Sequence, residues 1–219
     1  LAVPGDRVSS ISHASLSSIA AAPDLVEELS HLLGTDERNW MGYQTGVETG
    51  SPRLVRMHMQ YKPYPFKPEE RPDVVEEAFA ISVEHGFVPA ATLLVNLPGE
   101  REDDVLKTVE LVERLKPYKS LIVPLLYVPL RPEEGMMRVL EDAKWYHWEL
   151  YLAIWRHNER WAPVLVAEYA RGSRLATGFF FRALISVVTR VAGRKVESII
   201  WRNLERSLAT EGLAAPRAL

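Results

Sequence analysis

Two short stretches hold the residue types that could do chemistry. The first, Gly46-Val47-Glu48-Thr49-Gly50-Ser51, sets a carboxylate and two hydroxyls among glycines. Glycine at Gly46 and Gly50 lets another group come close to the backbone. The second, Asn96-Leu97-Pro98-Gly99-Glu100, ends an apolar run of Ala90, Ala91, Leu93, Leu94 and Val95. Glu48 is placed either beside a bound group or as the partner of a basic neighbour. Gly99 and Glu100 read either as a binding loop or as a turn with an acid at the positive end of a helix. The histidines, His13, His31, His58, His85, His147 and His157, show no metal-ligand spacing such as His-x3-His and read as structural or surface residues. His13 stands apart because it follows a short predicted strand. Cysteine is absent, which removes thiol nucleophiles, disulfides, thiolate zinc sites and a self-contained iron–sulfur cluster from this chain.

The elements that must position these stretches alternate. Val8 to Ile11 is β-prone, and a run of small residues follows. Asp24 opens a helix after Pro23, with Leu25, Val26, Leu29, Leu32 and Leu33 as its apolar face and Gly34 at its end. Alternation of Tyr43, Thr45 and Val47 predicts a strand, and Ser51-Pro52 cap a helix running to Met59. Four prolines between residues 60 and 72 predict an extended loop. A helix from Asp73 to His85, a strand over 89–97, a helix to Leu115 and an apolar strand over 121–130 complete the series. Continuous apolarity in the 89–97 strand predicts burial on both faces. Strand–helix alternation of this kind predicts parallel βαβ units, and four strands suit an open sheet or part of a barrel rather than a closed one. From Glu133 onward the pattern is helical, with Trp145, Trp148, Trp155 and Trp161 among Tyr146, Tyr151 and Tyr169, then helices over 174–192 and 196–208. The expected division is 1–134 for the α/β part and 135–219 for an α-helical extension.

Charge follows that division. Residues 1–135 carry 13 basic and 21 acidic side chains, a net of −8, and residues 136–219 carry 13 and 8, a net of +5. The tail is therefore the better partner for anionic surfaces. In segment 174–195, Arg182, Ser186, Thr189 and Arg190 form one stripe of a helix that is otherwise apolar. That face either packs on the rest of the protein or lies on an anionic membrane. Its basic residues are scattered among large apolar ones, which speaks against nucleic acid as a partner. No run reaches the ~20 apolar residues of a membrane span. The opening at Leu1, with no methionine and no signal peptide before Asp6 and Arg7, reads as a chain that begins inside something larger, cytoplasmic and at most peripheral to a membrane.

The two stretches together resemble motifs of the radical S-adenosylmethionine (radical SAM) enzymes. Residues 46–51 look like the fourth-strand motif G-[IVL]-E-[ST]-G-S, and residues 96–100 look like the fifth-strand motif G-[LF]-P-G-E, with Asn96 in place of the first glycine. Order and spacing also match over roughly residues 8–132, including an apolar sixth strand ending in Val128-Pro129-Leu130. The stretch Ser12-His13-Ala14-Ser15-Leu16 is similar to archaeal members with a cobalamin-binding-like domain upstream. The resemblance implies a partial (βα) barrel of the radical SAM type with parallel strands. It also implies S-adenosylmethionine as cofactor, with a [4Fe-4S] cluster whose cysteine ligands are not in this chain, and cobalamin as a further cofactor of the longer protein. Glu48, Thr49 and Ser51 then correspond to positions near the ribose and methionine parts of the cofactor. Asn96, Gly99 and Glu100 correspond to positions beside the adenosyl group, and Val123, Leu125 and Tyr127 to Val128 and Pro129 to the strand flanking adenine. The implied reaction of the longer protein is hydrogen-atom abstraction from a small-molecule or lipid substrate, with no turnover from the cysteine-free chain alone. The other reading is a non-catalytic scaffold derived from such a barrel that binds a membrane or partner through its tail.

Overall fold

The computed structural model describes residues 10–129, 137, 140–171 and 177–213, with backbone alone at 10, 141, 170–171 and 177–192. Four strands, β1 (Ser10–His13), β2 (Met41–Glu48), β3 (Phe87–Val95) and β4 (Leu121–Leu126), form one sheet in the order β1-β2-β3-β4, every pair parallel. Helices α1 (Leu16–Ala21), α2 (Pro23–Leu33), α3 (Pro52–His58), α4 (Arg71–Glu84) and α5 (Glu102–Arg114) make the crossovers. Two long helices, α6 (Trp145–Arg171) and α7 (Thr177–Thr210), follow. The protein is thus α/β, as expected, with parallel crossovers throughout.

Local chemistry sets the boundaries. Pro23 occupies the first turn of α2, where its missing N–H costs nothing, and Gly34 ends the helix in the left-handed conformation at φ +66°. The Ser51 hydroxyl accepts from the Leu54 amide to cap α3. At α5 the Asp104 carboxylate accepts from the Arg101 amide, and Glu102 and Asp103 add negative charge to the same positive helix end.

The sheet has two unlike faces. Val47 of β2, Ala91, Leu93 and Val95 of β3 and Ile122 of β4 point into a core shared with Val75, Phe79, Val105 and Leu111 of α4 and α5, and with Leu150 and Ile154 of α6. Thr45 is buried on the same side, and Tyr43 joins Met41 and Phe87 in a second, smaller cluster, its hydroxyl bonded to Ser82 of α4. Gly42, Gln44 and Gly46, then Thr92 and Leu94, then Val123 and Leu125 lie on the other, open face, half-buried or exposed. The expected double burial of β3 therefore holds only at its start. A strand with helices on one side alternates along the rest of its length, and apolar residues such as Leu94 occupy the open side too.

Other expectations also change. The small-residue run holds a helix, α1, which packs on α4. On α2 only part of the expected apolar face turns inward: Val26 and Leu33 pack against Met41 and Tyr43 and Ser30 is buried, while Leu25 is 65% and Leu32 80% exposed. The segment after α3 forms turns and a 3-10 turn at Pro68–Glu70 instead of extended chain. Strand β4 ends at Leu126, and the two tail helices are one, because Gly193 lets α7 pass close to Trp155 and Glu159 of α6 without interruption. The side-chain pattern expected over 174–192 and the boundary at 134 lie outside the described residues. No helix among the described residues is long and apolar enough to cross a membrane.

The outer edge of β4 is occupied. The Asn158 side chain of α6 donates to the Ile122 carbonyl (2.7 Å) and accepts from the Ile122 amide (2.9 Å), as a neighbouring strand would. Two residues on, Pro124 has no amide to offer. At the foot of this strand His157, fully buried, bonds the Ser120 hydroxyl through Nε2 (2.9 Å), and burial pulls its imidazole down to about 4.

Candidate functional site

The two chemistry-bearing stretches leave the carboxyl ends of adjacent strands, β2 and β3, and sit side by side. Each turns out of its strand on a non-glycine residue in the left-handed region, Glu48 at φ +67° and Asn96 at φ +73°. Asparagine is among the few side chains that adopt this conformation readily, so Asn96 can stand where glycine would be expected. Glutamate has no such preference. Its strained backbone is held by what surrounds it.

Glu48 faces the open side. Its carboxylate lies against Gly46, where a Cβ would overlap it, and takes an ion pair from Lys62 (2.7 Å) and a longer bond from the Thr92 hydroxyl (3.4 Å). Arg71, at the start of α4 and 2% exposed, donates to the Gly46 carbonyl (2.9 Å). Its Nε and Nη1 have no hydrogen-bond partner among the described residues, and burial pulls the guanidinium down to about 10 against the opposing pull of the Glu48 charge. A carboxylate, two cations and a hydroxyl thus gather at the carboxyl end of a parallel sheet, beside the apolar Leu94, Val123 and Leu125. Ligands of open α/β sheets bind at this end.

Thr49, Gly50 and Ser51 turn the other way, into α5. Thr108 donates its hydroxyl to the Asp104 carbonyl (2.9 Å), so it accepts from both the Gly50 amide (2.9 Å) and the Thr49 hydroxyl (3.2 Å). A Cβ on Gly50 would fall 2.5 Å from the Lys107 carbonyl oxygen, so this glycine admits a helix where Gly46 admits a carboxylate. The Ser51 hydroxyl donates to Asp104 (2.5 Å), as do the Arg53 guanidinium and the Arg101 amide. Arg53 also reaches the Gly99 carbonyl (2.6 Å), tying one loop to the other. Burial alone would raise the Asp104 carboxyl, which is 1% exposed. The bonds from Arg53, Ser51 and the Arg101 amide outweigh burial and hold it below the usual carboxylate range.

The Asn96 side chain also turns inward. It donates to the Tyr127 and Met137 carbonyls (2.9 and 3.0 Å) and accepts from the Met137 amide (2.8 Å), so it fastens the chain beyond β4 instead of reaching over the open face. Glu100 folds back to accept from the Asn96 and Leu97 amides (3.0 and 3.4 Å). His147 of α6 completes this loop. Its Nδ1 accepts from the Lys144 amide, so Nε2 carries the proton and donates to Glu100 at 3.0 Å. Gly99, at φ +68°, is exposed beside Met57, and Val128 is 64% exposed past the end of β4. His13 is exposed at the end of β1, bonded through Nδ1 to Ser12.

Of the residues singled out in the sequence, Glu48 alone brings its charged group to the open face. Thr49, Ser51, Asn96 and Glu100 hold the two loops in place. The sequence did not point to Lys62, Arg71, Thr92 or His147. Only the two glycines hinted that something must lie against Gly46, and nothing local tied His147 to Glu100, 47 residues away. Among the described residues no three His, Asp or Glu side chains come together as a metal-ion site. No protein-family model matches the chain, and no curated protein matches it.

Proposed function

We propose that these residues are the later part of a radical SAM barrel with an α-helical extension, belonging to a longer enzyme that cleaves S-adenosylmethionine. The observation that carries this reading is the placement of the two motif-like loops. They lie 50 residues apart in sequence and adjacent in space, at the carboxyl ends of neighbouring parallel strands, with Glu48 on the open face between Thr92 and Lys62. The residues present suit the cofactor: an acceptor carboxylate for ribose hydroxyls, cations for the methionine carboxylate, and the apolar wall of Val123 and Leu125 for adenine. Thr49, Ser51, Asn96 and Glu100 contribute by holding Glu48 and the wall in register, since their polar groups are engaged within the chain.

The cluster is a different matter. With no cysteine, this chain offers it no ligand, and those ligands belong to other residues of the longer protein. When bound, the cluster supplies the electron for reductive cleavage; this chain positions the nucleoside, excludes water from one side and forms part of the wall of the substrate space. That substrate, small molecule or lipid, and a cobalamin requirement stand as parts of the same proposal.

Missing cysteines also favour the second reading, a cluster-less scaffold. The coding DNA upstream separates the two. An in-frame Cys-x3-Cys-x2-Cys about 100 residues before Gly46, at ~30 or more residues per βαβ unit, supports the enzyme. The encoded protein, anaerobically reconstituted, is then expected to release 5′-deoxyadenosine. An open reading frame without cysteines sinks the enzyme and leaves the scaffold.

A further inference from the structure

The helix side of the sheet holds a cleft that the Glu48 site does not use. It measures about 860 Å³ and lies between α6 and the C-terminal half of α7, with Pro124 of β4 in its wall. Pro124 is the register partner of Leu93, a core residue, so the cleft opens on the face opposite Glu48 and Thr92. We propose that this cleft binds a small amphiphile with an apolar body and a single carboxylate head. The inference is independent of the radical SAM reading.

The volume falls within the range of about 300–1,000 Å³ typical of small-molecule sites. Its body is aromatic and aliphatic: Trp148, Tyr151 and Trp155 come from one side, and Val196, Ile199 and Ile200 from the other. Trp148 and Tyr151 pack on each other with ring centroids 5.7 Å apart, which fixes a rigid wall instead of a collapsible one. Residues of α6 and α7 at 4- and 3-residue spacing face each other here, so a ligand removes apolar surface of both helices from water at once.

Charged groups stand at the end formed by the start of α6 and the end of α7. Arg206 and Lys144 line the cleft, and both are exposed. Arg206 brings a planar fork suited to two carboxylate oxygens. Asn203 and Ser207, on neighbouring turns of α7, add neutral hydrogen-bonding groups. Two acids, Asp142 and Glu211, also line the space. Their presence disfavours phosphate-rich heads such as nucleotides, and a head bearing one negative charge is the species that two cations hold against them.

Three ten-carbon probes with different heads test this: decanoate, decylamine and decanol, titrated into the 219-residue chain by calorimetry and tryptophan emission. Decanoate is expected to bind with one molecule per chain, at least tenfold more tightly than decylamine, and to change the emission of Trp148 and Trp155. Arg206→Glu, an exposed position, is expected to weaken decanoate at least tenfold and leave decanol unchanged. Ile199→Trp, which fills the cleft from a partly exposed position, is expected to abolish both. Absence of decanoate binding at millimolar concentration overturns the proposal, as does decylamine binding equally well or decanoate binding that ignores Arg206→Glu. Should Ile199→Trp fail to fold by circular dichroism, the head series and Arg206→Glu decide alone.

Discussion

Thr92 and Leu93 are consecutive on β3, yet Leu93 is 1% exposed in the helix-side core while Thr92 stands half-buried beside the Glu48 carboxylate. The same division runs across the whole sheet and into its loops. On the helix side the polar groups are engaged with distant parts of the chain: Ser51 and Arg53 with Asp104, Asn96 with residues 127 and 137, His157 with Ser120. On the open side Glu48 shares its charge with Lys62, a side chain one third exposed, and Val123 and Leu125 face outward. One face holds the molecule together. Its opposite leaves apolar side chains and part of its charge in contact with water.

Substitutions measure how sharp that division is. Asp104→Ala should have the largest effect, about 3–4 kcal/mol in chemical denaturation, because it leaves Ser51, Arg53 and the Arg101 amide without their shared acceptor. The folded-state carboxyl lies below its unfolded value, so its contribution is complete above the ordinary carboxylate range and lost as pH falls through the depressed value. Wild type and Asp104→Asn should therefore converge in acid. His157 comes next. Its imidazole drops from 6.5 to about 4 on folding, so stability is complete above pH 6.5 and declines as pH falls toward 4, where the unfolded chain binds a proton that the folded chain refuses. The total is about 3 kcal/mol, and His157→Gln should flatten that part of the pH–stability curve.

Asn96→Ala should cost about 2–3 kcal/mol, through three lost hydrogen bonds and the left-handed backbone; Asn96→Gly, which keeps the backbone free, should cost about 1 kcal/mol less. Glu48→Gln should change stability least, by under about 1 kcal/mol. On the radical SAM reading proposed above, it should nevertheless weaken S-adenosylmethionine binding to the reconstituted longer protein at least tenfold. If Glu48→Gln destabilises as much as Asp104→Ala, the contrast between the faces is wrong. If it leaves cofactor affinity untouched, the open face is not the cofactor's.

The order of elements could be read from the sequence because each boundary carries a local signal: Pro23 and Gly34, Ser51-Pro52, the acids before α5. What could not be read depends on which surface faces which. The leucines of α2 have helical spacing, but α2 packs through Val26 and Leu33 on the small patch around Met41 and Tyr43, and Leu25 and Leu32 stay in water. A run of apolar residues on β3 says nothing about whether both faces are covered. Glu48 was legible as a candidate because glycines on either side are unusual company for an acid. Asn96 was legible as a departure, but its side chain turned away from the open face for a partner at residue 137 that no local pattern foretells. By sequence, Asp104 is one more acid in the first turn of a helix and His147 one more residue of a helical run. Their roles rest on contacts between elements 47 to 53 residues apart.

Asn158 presents the outside of β4 with an imitation of a strand, and Pro124 withholds the next amide. A sheet with one finished border can lengthen in a single direction. Among the described residues nothing pairs with the outer side of β1, so any added strand joins there, whether it comes from the same polypeptide, a second copy or an aggregating neighbour. The amide of one helix residue thereby gives the sheet a polarity of growth, and makes β1 the place where correct assembly and faulty association compete.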